Sequence, residues 1–343
     1  MHPTARLRTT LLLGLIGFAL CVGPTISARS GEVDQQQPME DMCAGEMQWM
    51  IGWCIDMIAP GDMTGMGALT AAVTAGYSGS FETIDVSGAT GTRAFGINPQ
   101  GDIVGSYTQA GLTHGFLLSQ GVLTTIDYPA AESTEAWGIN ARGDIIGRYT
   151  RARVPGVRGF LLRQGRFTDI SIGNHLITLP TKIGASGEIV GCFHDTSGLV
   201  DMYGYVQRGS DISLFASPST IAPAGSATMH NGVVPGGRTI VGLKNQAPGR
   251  QQAYVIRDGV ASFFDGPGAT VTSAWDVSPR GTIVGQYDAG GRTHAFAYSD
   301  DGFVTLDVPG STLTVGRGVN SRGDIVGVYN DAAGAHGFVL RKY

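Results

Sequence analysis

Residues Gly138–Tyr149 read GINARGDIIGRY. An apolar strand end, the polar turn Ala141-Arg142-Gly143 and an apolar return at Ile145-Ile146 describe a tight hairpin. Nearly the same line recurs as GINPQGDIVGSY from Gly96, KIGASGEIVGCF from Lys182, GVVPGGRTIVGLK from Gly232, DVSPRGTIVGQY from Asp276 and GVNSRGDIVGVY from Gly318. The isoleucines after the turn, Ile103, Ile145, Ile189, Ile240, Ile283 and Ile325, stand 42, 44, 51, 43 and 42 residues apart. A period in the forties made of short strands marks a propeller or a solenoid.

Each period holds two more strand-like segments. One is HGFLL at His114, matched by RGFLL at Arg158, YGYVQ at Tyr203, QAYVI at Gln252, HAFAY at His294 and HGFVL at His336. The other is LTTID at Leu123, with counterparts FTDIS, ISLFA, ASFFD and FVTLD, and FETID at Phe81 ahead of the first hairpin. Four short strands per unit, joined by two-residue turns such as Gln120-Gly121 and Gln164-Gly165, form an antiparallel meander that a parallel β-helix does not show. Six such sheets cannot bury both faces alone and must stack, which predicts an all-β, six-bladed β-propeller over residues 79–343. The first segment lacks a preceding partner and the last lacks a following one. The ring is therefore expected to close by Phe81–Asp85 completing the final blade, which also removes an exposed edge.

The joint pattern GIN..GDIVG.Y....G..HGF, followed by TTIDYP or VTLDVPGS, resembles the HAF-repeat family of bacterial extracellular proteins; His294-Ala295-Phe296 spells the name. The resemblance covers residues 81–343 and weakens in the third and fourth units, where Lys182 replaces Gly, Tyr203 replaces His and the fourth unit is longer. It implies a secreted or surface-exposed propeller-like repeat protein and supplies no catalytic residues.

With 28 acidic and 23 basic side chains the chain carries a formal charge of −5, which argues against nucleic acid as a partner. Its 53 glycines in 343 residues, about twice the usual share, indicate many turns and close approaches. Residues 1–28 read as an export signal, with Arg6 and Arg8, the apolar run Leu11–Gly23 and small Ala28 at its end. A lipidated Cys21 is the alternative. No later run reaches the ~20 apolar residues of a membrane span. The mature protein is thus expected to be secreted, periplasmic or on the cell surface.

Residues 29–78 differ from the rest. Met39, Cys43, Met47, Met50, Cys54 and Met57 fall on one face of an amphipathic helix, followed by a small, flexible linker. Soft sulfur from Cys43, Met47, Met50 and Cys54 would suit Cu(I); the plainer reading is a sticky helix that packs on the propeller, a partner or a membrane surface. No cofactor is called for. Cys43, Cys54 and Cys192 remain after cleavage, an odd number whose pairing stays open.

The recurrent histidines tempt a catalytic reading, but His114 to Asp127 and His294 to Asp307 share an offset of 13 residues. A hairpin at Gln120-Gly121 places such a pair face to face, so they report strand register, and ring closure would set His336 opposite Asp85. Irregular units are the better place for chemistry. There Lys182, Glu188, His194, Asp195 and His230 are the catalytic candidates. Arg142, Arg163, Arg166, Arg238, Arg280 and Arg322 collect on the turns of one face and suit an anionic glycan, polymer or head group. The leading expectation is an exported, non-enzymatic binding or scaffolding module whose partner is a polysaccharide or surface protein; the alternative is a hydrolase or lyase at the channel mouth in units three and four.

Overall fold

The structure, a computed structural model, describes residues 77–195, 201–215 and 227–343. The export signal and the Met/Cys-rich stretch, with Cys43, Met47, Met50 and Cys54, lie outside the described residues.

The described chain is all-β, and 24 strands hydrogen-bond into one sheet. Strand β1 spans Gly79–Ile84. The next four, β2 (Gly91–Ile97), β3 (Ile103–Gln109), β4 (Leu112–Ser119) and β5 (Val122–Ile126), pair in order as an antiparallel meander. That order returns in β6 (Ser133–Ile139), β7 (Ile145–Arg151), β8 (Val154–Arg163) and β9 (Arg166–Ile170). It returns again in β10 (Ile177–Ile183), β11 (Ile189–His194), β12 (Tyr203–Arg208) and β13 (Asp211–Phe215). Two more follow: β14 (Thr228–Val233), β15 (Thr239–Ala247), β16 (Arg250–Arg257), β17 (Val260–Phe264), then β18 (Val271–Val277), β19 (Ile283–Ala289), β20 (Arg292–Ser299), β21 (Gly302–Thr305). Finally β22 (Leu313–Val319), β23 (Ile325–Asn330) and β24 (Ala335–Lys342) pair in sequence, and β1 lies antiparallel to β24 from Gly79↔Lys342 to Ile84↔Gly337.

Between meanders the joint is always the same. One parallel bridge runs from a third strand to the next first strand, at Thr113↔Ser133, Val157↔Ile177, Gln251↔Val271 and Thr293↔Leu313. An isolated bridge, Met202↔Ala227, holds the same place before β14, and Ala335↔Gly91 ties β24 back to β2. First strands neighbour one another in turn, β22 beside β2 included.

Local sequence sets these elements. Gln120 (φ 51°) and Gly121 (φ 79°) both take the left-handed region, the requirement of a two-residue hairpin whose twist matches its strands. The glycine of each I-V-G triplet has a different cause. A Cβ on Gly147 would collide with the Glu135 carbonyl and the Phe160 ring, and Gly105, Gly191, Gly242, Gly285 and Gly327 meet the same carbonyl from their own first strands. The crowding accompanies a β-bulge in every first strand, where the register slips by one residue: Ala94/Gly96, Ala136/Gly138, Pro180/Lys182, His230/Gly232, Ala274/Asp276 and Gly316/Gly318.

The aromatic of each HGF-like segment fills the core. Phe116, Phe160, Tyr205, Tyr254 and Phe296 are fully buried, and Phe338 nearly so. Each such burial contributes about 1.5–3 kcal/mol.

The GIN..GD line is a self-bonding turn. Asn140 Oδ1 accepts from the amides of Arg142 (2.9 Å) and Asp144 (3.0 Å), and its Nδ2 donates to Asp144 Oδ2 (3.0 Å) and to the Gly184 carbonyl of the next unit (3.4 Å). Asn98 and Asn320 repeat the arrangement, Asn98 donating to the Asn140 carbonyl and Asn320 to that of Asn98, each at 3.4 Å. In the third unit Gly184 stands in place of Asn, which leaves room for the longer Glu188; Glu188 Oε1 accepts the Gly236 amide at 2.9 Å.

Candidate binding site

The recurrent His and Asp side chains bond to each other. His114 Nδ1 lies 2.9 Å from Asp127 Oδ1, His294 Nδ1 2.8 Å from Asp307 Oδ2, and His336 Nδ1 2.9 Å from Asp85 Oδ1. Each imidazole also stacks on the tyrosine of the adjacent strand, Tyr107, Tyr287 or Tyr329. The Asp85 hydrogen bond, working against burial, raises the His336 ring above its ordinary value.

Asp195, Lys182, Glu188 and His230 each bond to a different partner, and His194 lies close enough to Asp195 to act on its carboxyl. Glu188 precedes β11 while His194 ends it, so the strand separates Lys182 and Glu188 from His194 and Asp195. Asp195 accepts the Leu176 amide (2.9 Å) and pairs with His175 (2.8 Å); these contacts, the amide foremost, hold its carboxyl below the usual range. Lys182 Nζ reaches Asp276 Oδ2 at 2.5 Å. Burial pushes His230 down to about 3, and its Nδ1 lies 2.6 Å from Tyr254 Oη, whose proton goes to the Met229 carbonyl at 2.9 Å. Such an imidazole stays neutral and donates from Nδ1. Buried Cys192 has its thiol pushed up to about 12, which leaves it inert. Among the described residues no group of three His, Cys, Asp or Glu could hold a metal.

The six arginines named from the turns are all exposed. Three are anchored. Arg142 and Arg163 both donate to Asp144, at 3.2 and 2.9 Å, and Arg322 lies 2.7 Å from Asp324. Burial alone would raise the Asp144 carboxyl, but hydrogen bonds from Arg163, Asn140 and Arg142 hold it below the usual range. Arg142 Nη1 also reaches across to the Ala185 carbonyl at 2.6 Å. Beside these groups a cleft of about 900 Å³ opens between the second and third units, lined by Arg142, Arg163, Gln164 and Gln207 over Leu161 and Ile189. It brings fixed guanidiniums together with apolar side chains and the Asp144 carboxylate.

A second cluster was not legible as a site in the sequence. At each bulge one residue has no cross-strand partner: Phe95, Trp137, Thr181, Asn231, Trp275 and Arg317. Four of them meet where the first strands face each other. Phe95 stacks on Trp137 (centroids 4.5 Å apart), Trp137 lies 6.2 Å from Trp275, and the Arg317 guanidinium sits 3.8 Å from the Trp275 ring centre. Arg148 lies over the Trp137 ring at 4.2 Å and pairs with Glu135, whose Oε2 also accepts Trp137 Nε1 at 2.9 Å. The available signal was a large or charged residue at one fixed place in the repeat: RAFG, EAWG, SAWD and VGRG.

No family model and no curated protein matches the chain. Among solved structures it is similar to virginiamycin B lyase from Staphylococcus aureus (11% identity, TM-score 0.45, covering 77% of this chain and 100% of that one). It is also similar to the Aleuria aurantia lectin in complex with a fucose-containing disaccharide (10%, 0.48, 74% and 94%). A further structure of that lectin, described as a six-bladed β-propeller, aligns at 11% identity and TM-score 0.47 over 72% of this chain and 90% of that one.

Proposed function

We propose that residues 79–343 form a closed six-bladed β-propeller, exported to the envelope or cell surface, that binds an anionic polysaccharide or related polymer and is not an enzyme. Strand register supports the blade count: five meanders of four strands are followed by one whose fourth strand is β1, and the same bridge joins every neighbour, β24 to β2 included. The binding reading rests on one observation, the exposed arginines of the turns, of which Arg142 and Arg163 are held by Asp144 in a cleft that Leu161 and Ile189 also line. Cationic donors fixed before binding lose little side-chain freedom when an anionic chain docks. The contacts of the candidates favour binding over the hydrolase or lyase alternative: Asp195 pairs with His175, His230 with Tyr254 and Lys182 with Asp276.

The test uses an array of acidic and neutral polysaccharides with the mature chain, at low and high salt. Acidic polymers are expected to bind and to release as salt rises. Arg166, Arg238 and Arg280, exposed and without an ion pair among the described residues, can be changed together to Gln with little effect on stability and should weaken binding severalfold. Equal binding of neutral and acidic polymers, or an unaffected triple variant, would sink the proposal.

A further inference from the structure

Among the described residues two arginines are buried, Arg148 and Arg317, and only Arg317 lacks an ion pair. It is 7% exposed, and among the described residues its Nε and Nη1 have no hydrogen-bond partner. Arg148 is equally buried, yet it is matched by Glu135. Stranding donors of a buried cation is costly, and stacking on Trp275 offsets only part of that cost. Surroundings sharpen the imbalance. Burial, then repulsion from Arg148 and Arg93, pulls the Arg317 guanidinium down to about 9, with Glu135 the one acid opposing the trend. Ser106 Oγ, on the strand position opposite Arg93, and Asn231 Oδ1 are also buried without partners. Arg93 and Glu135 are half-buried, so the cluster reaches solvent on their side.

The remaining wall is apolar. Trp137 and Trp275 belong to one core cluster with Leu179, Met229, Val315 and Val328. We propose that the centre of the ring is a binding site for a small organic carboxylate with an apolar body, its carboxylate on Arg317 and its body against Trp137 and Trp275. A hydrated inorganic ion would satisfy the guanidinium but leave the aromatic wall unused. A neutral analogue would use the wall and leave the cation stranded. This site is independent of the polymer cleft on the arginine face.

Sodium benzoate is the probe, titrated calorimetrically into the mature chain, with benzamide and sodium chloride as comparisons. Saturable heat is expected from benzoate alone. Arg317→Met should bind at least about tenfold more weakly, the size of one lost charge-assisted contact, with an unchanged circular dichroism spectrum. Arg317→Lys is the second variant: it keeps a cation but loses the planar fork, and should weaken benzoate about tenfold at an unchanged melting temperature. The Arg166/Arg238/Arg280 triple Gln variant should bind benzoate like the parent, which separates failure of this site from failure of the polymer reading. No saturable benzoate binding, equal binding of benzamide, or an unweakened Arg317→Lys would overturn the proposal.

Discussion

Replacing Phe81 by Ala should damage a region far from it in sequence. Phe81 is buried and sets its ring edge-on to Phe338, centroids 5.4 Å apart, in a core cluster with Ile325, Tyr329 and Leu340. Truncating a buried Phe removes its transfer free energy and leaves a cavity, about 3–5 kcal/mol together, of which the aromatic pair is about 1 kcal/mol. At about 2–4 °C per kcal/mol for a large domain, the melting temperature should fall roughly 10 °C. The location of the damage decides the matter. Because β1 pairs along the whole of β24, hydrogen exchange should rise across Ile325–Lys342, with β2–β5 less affected. A Phe81→Ala protein that melts within about 1 °C of the parent, or whose extra exchange stays within Gly79–Ile84, would refute closure through β1 and with it the count of six blades.

Three other outcomes follow from single contacts. His336 is held above its ordinary value by Asp85, so its contribution is full at low pH and fades as pH rises through the raised value; the gap in melting temperature between parent and His336→Gln should be wider near about pH 5.5 than near about pH 8.5, and a flat or inverted gap contradicts the pairing. Gly147→Ala drives a methyl into the Glu135 carbonyl and the Phe160 ring and should cost about 1–3 kcal/mol or more in chemical denaturation, whereas Gly143→Ala, whose Cβ would meet nothing but whose φ is 78°, isolates the conformational penalty alone. Asp276→Asn leaves Lys182 without its carboxylate and should cost about 3–5 kcal/mol, a loss that Lys182→Met in the same chain should largely relieve; additive effects in a double-mutant cycle would show that the pair is not coupled.

The repeat was legible because period, turn chemistry and strand alternation all pointed one way. Gln120-Gly121 predicts its hairpin from backbone preference alone, and the 13-residue offset predicts which residues face each other once that hairpin is placed. The chemistry was less legible, because a polar residue's type does not reveal its partner. His194, Asp195 and His230 look like a constellation in one dimension, but strand geometry sends Asp195 to His175 and His230 to Tyr254. His175 lies in none of the repeated segments, so nothing in the spacing brought it forward. Tyr77, just ahead of the expected boundary at residue 79, is likewise buried and donates to the Gly323 carbonyl.

The bulges explain why the centre had to be read in three dimensions. Each first strand delivers one unpaired residue, and strict repetition would bring the same side chain to one place six times. Close packing forbids that for a large residue, since interiors are filled to a fixed density. Large Phe95, Trp137 and Trp275 must therefore be offset by small Thr181 and Asn231, whatever the protein does. Variation in size at these positions is thus a packing requirement and carries no functional message. Charge is different, because volume could be met by Leu or Met without stranding a cation. Of the six bulge residues Asn231 leaves one neutral acceptor unpaired, but only Arg317 strands a charge, and the partner able to match it is an anion that the described residues do not supply.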